Sequence, residues 1–132
     1  MNKLIEKCQD IAKDIFNDLG SGFDECIYQK AFEVSLRLEG IRYENKKVVP
    51  VYYKGFNVGD GELDLIVYDK EEKVILELKA IGAGLSPKEE TQLRKYMELL
   101  GIELGLLINF PQAGRNLSSI LDEPEFISIP QG

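Results

Sequence analysis

Two short apolar segments joined by a charged turn constrain the fold of this chain more than any other feature. Residues 63–68 (Leu-Asp-Leu-Ile-Val-Tyr) and 74–80 (Val-Ile-Leu-Glu-Leu-Lys-Ala) have the composition of β-strands. The run Asp-Lys-Glu-Glu at residues 69–72 suits a tight reversal between them. Apolar residues occupy both faces of the predicted hairpin, and a sheet of that kind is covered on both faces.

Charged residues interrupt both strands at positions that face each other. A turn centred between residues 70 and 71 places Asp64 opposite Glu77, and Glu62 opposite Lys79. Directly opposed side chains have Cβ atoms ~5 Å apart. Two carboxylates that close on a half-buried face repel each other and lose hydration. A divalent cation relieves both costs, and an acidic pair beside a lysine has the groups needed to hydrolyse a phosphodiester.

Two simpler explanations of these charges stay open. In the first, the hairpin lies at a sheet edge, and Asp64 and Glu77 are simply solvated. Ile66 and Ile75, on the same face, argue against this, because charged groups on an apolar, covered face need partners. In the second, Lys79 only neutralises Glu77 or Glu62 in a structural ion pair.

Two amphipathic helices are predicted before the strands. Apolar residues recur at three and four over residues 4–19, and the second helix covers about residues 24–39. The second helix is apolar on two sides, which predicts that it is sandwiched between layers. Glu25 begins the stripe that continues through Tyr28 and Phe32, so we expect Glu25 to be buried and regard it as a candidate third ligand.

A third helix follows the hairpin, from Ser86 as N-cap to residue 100. Gln92 and Tyr96 lie one turn apart on its apolar stripe, and a buried glutamine needs hydrogen-bond partners of the kind a polar site supplies. Further strands are expected at residues 42–53, 105–110 and 126–129. The order helix, helix, three-stranded meander, helix, strand predicts an α/β sandwich on a mixed sheet.

Composition limits the class of protein further. We expect the 132 residues to form one domain, residues 1–132. No apolar run approaches the ~18 residues of a membrane span, and the N-terminus lacks a signal-peptide core, so we expect a cytoplasmic protein that does not contact a membrane. The net charge of −7 is a poor match for non-specific binding of long nucleic acid, although local basic patches remain compatible with it.

Histidine is absent, which excludes Ser-His-Asp and Cys-His catalysis and the usual structural zinc sites. Proton transfer must therefore involve a carboxylate, lysine, tyrosine or metal-activated water. The two cysteines, Cys8 and Cys26, fall within helical patterns, and we expect both to be buried free thiols.

Four motifs together resemble a known family. Asp64, followed after a turn by Glu77-Leu78-Lys79, resembles the core of the PD-(D/E)xK nuclease superfamily. Residues 22–28, Gly-Phe-Asp-Glu-Cys-Ile-Tyr, match the Gly-x-x-Glu-x-x-Tyr signature of the GxxExxY proteins within it. Residues 92–96 are similar to the Q-x-x-x-Y helix of that family, and residues 105–110 to its following strand. The resemblance covers roughly residues 10–120 in the same order.

The resemblance implies a three-layer α/β/α restriction-endonuclease-like core with a mixed central sheet. It implies that Glu25, Asp64 and Glu77 are the metal ligands. The all-oxygen ligands favour Mg²⁺ or Mn²⁺ as the cofactor. Lys79 then matches the catalytic lysine, and Gln92 an auxiliary catalytic residue.

The implied function is metal-dependent hydrolysis of nucleic acid, with DNA as the expected substrate. The alternative is a catalytically inactive, nuclease-like binding or assembly module, and a homodimer is compatible with either. Two departures from the family pattern favour the alternative. Glu62 stands where family members often carry a basic residue, and Glu89 stands where they commonly carry a histidine. Both replacements remove positive charge near the expected site.

Overall fold

The computed structural model describes residues 2–112 and 123–130. Helices and strands follow one another along these residues as the sequence predicts. They are α1 (Lys3–Leu19), α2 (Glu25–Leu38), β1 (Tyr43–Tyr53), β2 (Phe56–Tyr68), β3 (Lys73–Lys79), α3 (Pro87–Leu100), β4 (Leu104–Asn109) and β5 (Glu125–Ile129).

The strands form one mixed sheet in the order β1-β2-β3-β4-β5. Neighbouring strands are antiparallel except β3 and β4, which are parallel. This exception follows from chain order. Because α3 connects β3 to β4, it returns the chain to the end of the sheet where β3 begins, and β4 can then run in the same direction as β3.

Both faces of the sheet are apolar and covered, which confirms the predicted three-layer α/β/α arrangement. On one face α1 and α2 pack against the sheet, and the strand residues in that core are Leu65, Val67, Val74, Leu76, Leu78, Leu106 and Ile108. On the other face α3 contributes Leu93 and Met97, and the strand residues are Val49, Leu63, Ile66, Ile75, Leu107 and Ile129. Such a core fits a restriction-endonuclease-like fold.

The helix ends follow from their local sequence. The Asn2 side chain caps α1 by accepting a hydrogen bond from the Ile5 amide at 3.0 Å. Glu89 accepts a hydrogen bond from the Ser86 amide at 2.9 Å, as a capping box at the predicted N-cap Ser86 requires. Gly101 ends α3 in the left-handed region, at φ 66°, where glycine is favoured.

The prediction that α2 is sandwiched between layers is wrong. Ile27, Val34 and Leu38 on its second apolar stripe are 41%, 45% and 82% exposed. The reason is that α2 belongs to an outer layer, so only the stripe of Tyr28 and Phe32 reaches the sheet.

The prediction for the cysteines is correct for one of them. Cys8 is buried, and this burial raises the pKa of its thiol to about 12. Cys26 is exposed, contrary to expectation, because it lies on the outer side of the first turn of α2. Both thiols are free.

No helix in the described parts of the chain combines the length and apolarity needed to cross a bilayer.

Candidate active site

The two acidic residues of the hairpin meet where β2 and β3 separate. The Cα pairing runs from Tyr68 and Lys73 to Leu65 and Leu76, in the register that the sequence predicts. At the next position along both strands, the carboxylates of Asp64 and Glu77 accept hydrogen bonds from main-chain amides. The Asp64 amide donates to Glu77 Oε1 at 3.3 Å, and the Leu78 amide donates to Asp64 Oδ2 at 2.7 Å. The carboxylates of Asp64 and Glu77 therefore hold the strands together where the ladder stops.

Burial makes both carboxylates costly to ionise. Glu77 is only 5% exposed, and desolvation, with repulsion from Asp64, raises its pKa to about 8. Desolvation also raises the pKa of Asp64, although the hydrogen bond from Leu78 and the charge of Lys79 act in the opposite direction.

The pair fits a hard divalent cation. The second oxygen of each carboxylate, Asp64 Oδ1 and Glu77 Oε2, accepts no hydrogen bond from the described residues. No buried side-chain oxygen or nitrogen among those residues lacks a partner, so both oxygens retain access to solvent. Mg²⁺ is commonly bound by one or two carboxylates, with water and substrate phosphate completing its coordination.

Glu25 lies near this pair without joining it. Its charge raises the pKa of both Asp64 and Glu77, after the larger effect of burial. However, no three Asp, Glu, Cys or His side chains of the described residues stand close enough together to hold a metal ion. Glu25 is also exposed, so the prediction that it is buried is wrong. It is the first residue of α2, before the part of the helix that packs on the sheet.

The Gly-x-x-Glu-x-x-Tyr segment fixes the start of α2. Gly22 has φ 110°, which disfavours other residues, and its amide donates to Gln112 Oε1 at 2.8 Å. The Tyr28 hydroxyl donates to the Gly20 carbonyl at 2.7 Å and accepts from Gln112 Nε2 at 3.1 Å. The Tyr28 ring stacks on Phe110, with centroids 4.4 Å apart. These contacts join the first turn of α2 to the chain beyond β4.

A cleft of about 540 Å³ opens between the start of α2 and the end of β3. One of its lining residues directly follows Lys79, so the cleft adjoins the strand that carries Glu77 and Lys79. Its lining residues are Gly22, Phe23, Asp24, Glu25, Cys26, Ala80 and Gln112.

Lys79 is the last residue of β3 and is half-buried. Its charge lowers the pKa of both Asp64 and Glu77, after the larger effect of burial. The ion pairs in the described residues do not include Lys79, so the structural pair with Glu77 or Glu62 is not formed. Its main chain is fixed, because its carbonyl accepts the Phe110 amide at 2.8 Å.

Gln92 is exposed on α3, so the prediction of a buried amide is wrong. Only the residues one position further round the helix, such as Leu93, point into the core. Tyr96, one turn later, lies against β2, where a Cβ on Gly61 would come within 2.6 Å of its hydroxyl. The hydrogen bond from the Ser86 side chain lowers the pKa of Glu89, and the charge of Lys79 adds a smaller effect in the same direction.

Two buried polar residues that support the site were not predicted. The first, Gln29, donates to the Asp64 carbonyl at 3.2 Å and lies 3.5 Å from Glu33 Oε2. Glu33 in turn accepts from Asn45 at 3.0 Å. The available signal was the polar series Glu25, Gln29 and Glu33 at spacings of four on α2.

The second is Asn109, which is 1% exposed at the end of β4. It accepts from the Ile81 amide at 2.8 Å and donates to the Ile81 carbonyl at 3.0 Å. It also donates to Glu125 at 3.0 Å. Asn109 thereby holds the segment that follows Lys79, and its signal in the sequence was a polar residue within a buried strand.

Comparison with known proteins agrees with this arrangement. A sequence model of the PD-(D/E)XK nuclease superfamily matches residues 2–119. No curated protein matches the chain. The crystal structure of SSO0001 is similar, with 19% identity and a TM-score of 0.55 over 82% of this chain and 52% of that one. The chain thus spans about half the length of that protein, and at this identity the likeness concerns the fold alone.

Proposed function

This chain belongs to the PD-(D/E)XK nuclease superfamily, and we propose that it is a Mg²⁺- or Mn²⁺-dependent nuclease that hydrolyses phosphodiester bonds in DNA. The observation that carries the proposal is the pair of half-buried Asp64 and buried Glu77 where β2 leaves β3. Each carboxylate has a free oxygen, and an ammonium group lies within electrostatic range of both. A purely structural role leaves two adjacent acidic groups with one main-chain amide each and no ion pair among the described residues.

In this proposal Asp64 and Glu77 hold the ion, and Glu25 approaches from the start of α2 as a third ligand. When bound, a divalent ion supplies Lewis-acid catalysis by neutralising charge on the phosphate. Gln29 keeps the main chain of Asp64 in place through its hydrogen bond to the carbonyl.

Lys79 provides the fixed positive charge. Its ammonium group stabilises the negative charge that develops on the phosphate during attack, and the hydrogen bond from Phe110 keeps its main chain from shifting. Gln92 orients Lys79 or the scissile phosphate from the exposed side of α3.

We assign the chain to the GxxExxY group and regard residues 1–132 as one nuclease-like domain. What supports the first assignment is the use the fold makes of the motif. Gly22 provides the left-handed turn and the Tyr28 hydroxyl holds the preceding chain by its hydrogen bond to Gly20, and Glu25 lines the cleft.

The test is cleavage of plasmid, single-stranded DNA and RNA in Mg²⁺, in Mn²⁺ and in EDTA. We expect the purified protein to cut DNA only with a divalent ion. Asp64→Asn, Glu77→Gln and Lys79→Met should each lower the rate at least ~10²-fold while circular dichroism stays unchanged. The controls Glu71→Gln and Lys70→Met make the same charge changes at the exposed β2–β3 turn. Parent-like cleavage by the three site variants contradicts the proposal.

The second candidate is a binding or assembly module without turnover. A second copy of this chain is one partner that such a module would take. The observation that favours it is acidity, since the chain carries −7 and the site region adds Glu62 and Glu89. Thermal unfolding with Mn²⁺ separates the two. The nuclease is supported if Mn²⁺ stabilises the parent, Glu77→Gln abolishes that stabilisation, and the parent cleaves nucleic acid. The module is supported if Mn²⁺ does not stabilise the protein and no substrate is cleaved.

A further inference from the structure

A two-stranded ribbon projects from the sheet beyond the point where β2 leaves β3. We call residues 51–59 the hairpin arm, because Val51 and Gly59 are paired at its base. Its turn, Lys54-Gly55, has φ 50° and 83°, as a tight two-residue hairpin requires. β3 pairs with β2 only from Leu65 onwards, so it does not extend alongside the arm. Every residue from 50 to 60 is exposed. Because an isolated hairpin is only marginally stable in water, a ribbon exposed on both faces indicates a use outside the core.

The tip of the arm presents aromatic rings to solvent. Tyr52, Tyr53 and Phe56 are 63%, 61% and 75% exposed. Tyr53 and Phe56 are direct cross-strand partners, so their side chains lie on the same face of the ribbon. Lys54 Nζ lies 5.3 Å from the centre of the Tyr53 ring. The tip therefore offers two rings and an ammonium group within a few residues of each other.

The tip of the arm carries a positive charge, although the chain carries −7 overall. Lys54 is the one charged residue of the arm, since Lys46 and Lys47 precede the arm on β1, and Asp60 and Glu62 follow it on β2. Lys54 has no ion pair among the described residues. One basic side chain is thus available to a polyanion, beside rings that suit stacking.

We propose that the tip of the hairpin arm binds unpaired bases of single-stranded nucleic acid. Tyr53 and Phe56 serve as the stacking surface, and Lys54 contacts phosphate. Stacking on aromatic side chains tolerates any base sequence, because every base has a π-face. The inference rests on the proposed function, since it takes nucleic acid as the substrate of the Asp64–Glu77 site.

The arm and the site are connected by one strand. β2 runs from Phe56 at the tip to Asp64, with a register shift opposite Val51 and Tyr52, and spans at most ~26 Å at ~3.3 Å per residue. A stacked strand covers that distance with about eight nucleotides at ~3.4 Å each. A substrate shorter than this reaches the site or the tip but not both, so the arm should affect long oligonucleotides selectively.

The test measures binding apart from cleavage. Fluorescence anisotropy in EDTA gives the affinity for a labelled twenty-nucleotide single strand and for its duplex. We expect Tyr53→Ser/Phe56→Ser to weaken single-strand binding about tenfold or more, and duplex binding much less. The control Val34→Ser/Leu38→Ser removes exposed apolar side chains from α2 and should leave both affinities unchanged. A four-nucleotide strand is too short to span the site and the tip, and its cleavage, where measurable, should not differ between parent and arm variant.

Salt dependence tests the phosphate contact. Lys54→Gln should reduce the slope of log affinity against log salt by about 0.7, the value for one phosphate contact on a single strand. Lys70→Gln, at the equally exposed turn between β2 and β3, should not change it.

Several results would overturn the inference. One is unchanged single-strand affinity in the aromatic variant, and another is an equal loss on single strand and duplex. A third is that the parent is a dimer and the aromatic variant a monomer, while both bind DNA equally. The arm would then contact a second copy of the chain. Failure of the nuclease proposal looks different: the parent binds single strands through the arm but cuts no substrate in Mg²⁺ or Mn²⁺.

Discussion

At the scale of single residues, the sequence was sufficient to find the acidic pair but not its surroundings. The hairpin register placed Asp64 against Glu77 because turn length fixes which residues face each other. The burial of Glu25 and Gln92 was predicted wrongly. Helical periodicity identifies residues on one stripe, but it does not show where the helix extends past the sheet or which flank of the stripe meets solvent. Gln29 was missed because its partner is a main-chain carbonyl, which no side-chain pattern reveals.

The raised pKa of Glu77 predicts how the stability of the metal-free protein depends on pH. With a pKa of about 8 when folded against 4.5 when unfolded, the folded state binds more protons between these values. The free energy of unfolding therefore falls as pH rises from about 5 to 8. Glu77→Gln should remove this loss, which is roughly 4 kcal/mol at pH 8 and little at pH 4. Urea denaturation in EDTA at several pH values measures both.

The matched control is Glu71→Gln, which neutralises an exposed carboxylate on the β2–β3 turn. It should follow the parent's pH profile. Parallel profiles for the parent and Glu77→Gln would mean that the folded protein does not hold Glu77 protonated.

At the scale of elements, helices and strands were predictable because capping residues and apolar periodicity are local. Ser86, Pro87 and Gly101 delimit α3 as expected. The outer position of α2 was not predictable from its own pattern, because two apolar stripes indicate burial on both sides. Neither was the full length of β2, since the sequence predicts a strand only from residue 63, whereas β2 begins at Phe56.

The hydrogen bonds of the Tyr28 hydroxyl predict that the start of α2 depends on this one group. Tyr28→Phe keeps the ring against Phe110 but removes the hydrogen bonds to Gly20 and from Gln112. We expect a loss of about 1–2 kcal/mol in the free energy of unfolding. At temperatures where the variant is fully folded, the lower stability by itself should not change cleavage. If Glu25 contributes to the site, cleavage should nevertheless fall several-fold there. Tyr52→Phe, on the exposed arm, is the control and should change neither quantity. An unaltered free energy of unfolding would show that water replaces both contacts.

At the scale of the whole molecule, charge is distributed unevenly. An acidic site lies at the base of a basic, aromatic arm within an acidic chain, and β2 belongs to both. The net charge of −7 suggested weak contact with nucleic acid, yet a total says nothing about where the charges lie. The arm's charge could be counted from the sequence, but its projection from the sheet required the pairing of β2 with β3, which stops at Leu65.

The same distribution predicts that metal binding and catalysis separate at Lys79. Its positive charge favours ionisation of Asp64 and Glu77 but also repels a cation placed between them. Repulsion is the stronger effect where both carboxylates are ionised, which requires a pH well above the pKa of about 8 of Glu77, and there Lys79→Met should bind Mn²⁺ at least as tightly as the parent. The added ion should therefore raise the Tm of Lys79→Met by at least as much as that of the parent. Cleavage should nevertheless be lost, because the charge that stabilises the phosphate is gone. Differential scanning calorimetry with Mn²⁺ titration, beside the plasmid assay, tests both halves. Loss of Mn²⁺ stabilisation in Lys79→Met would mean that the lysine organises the carboxylates and does not act on the phosphate.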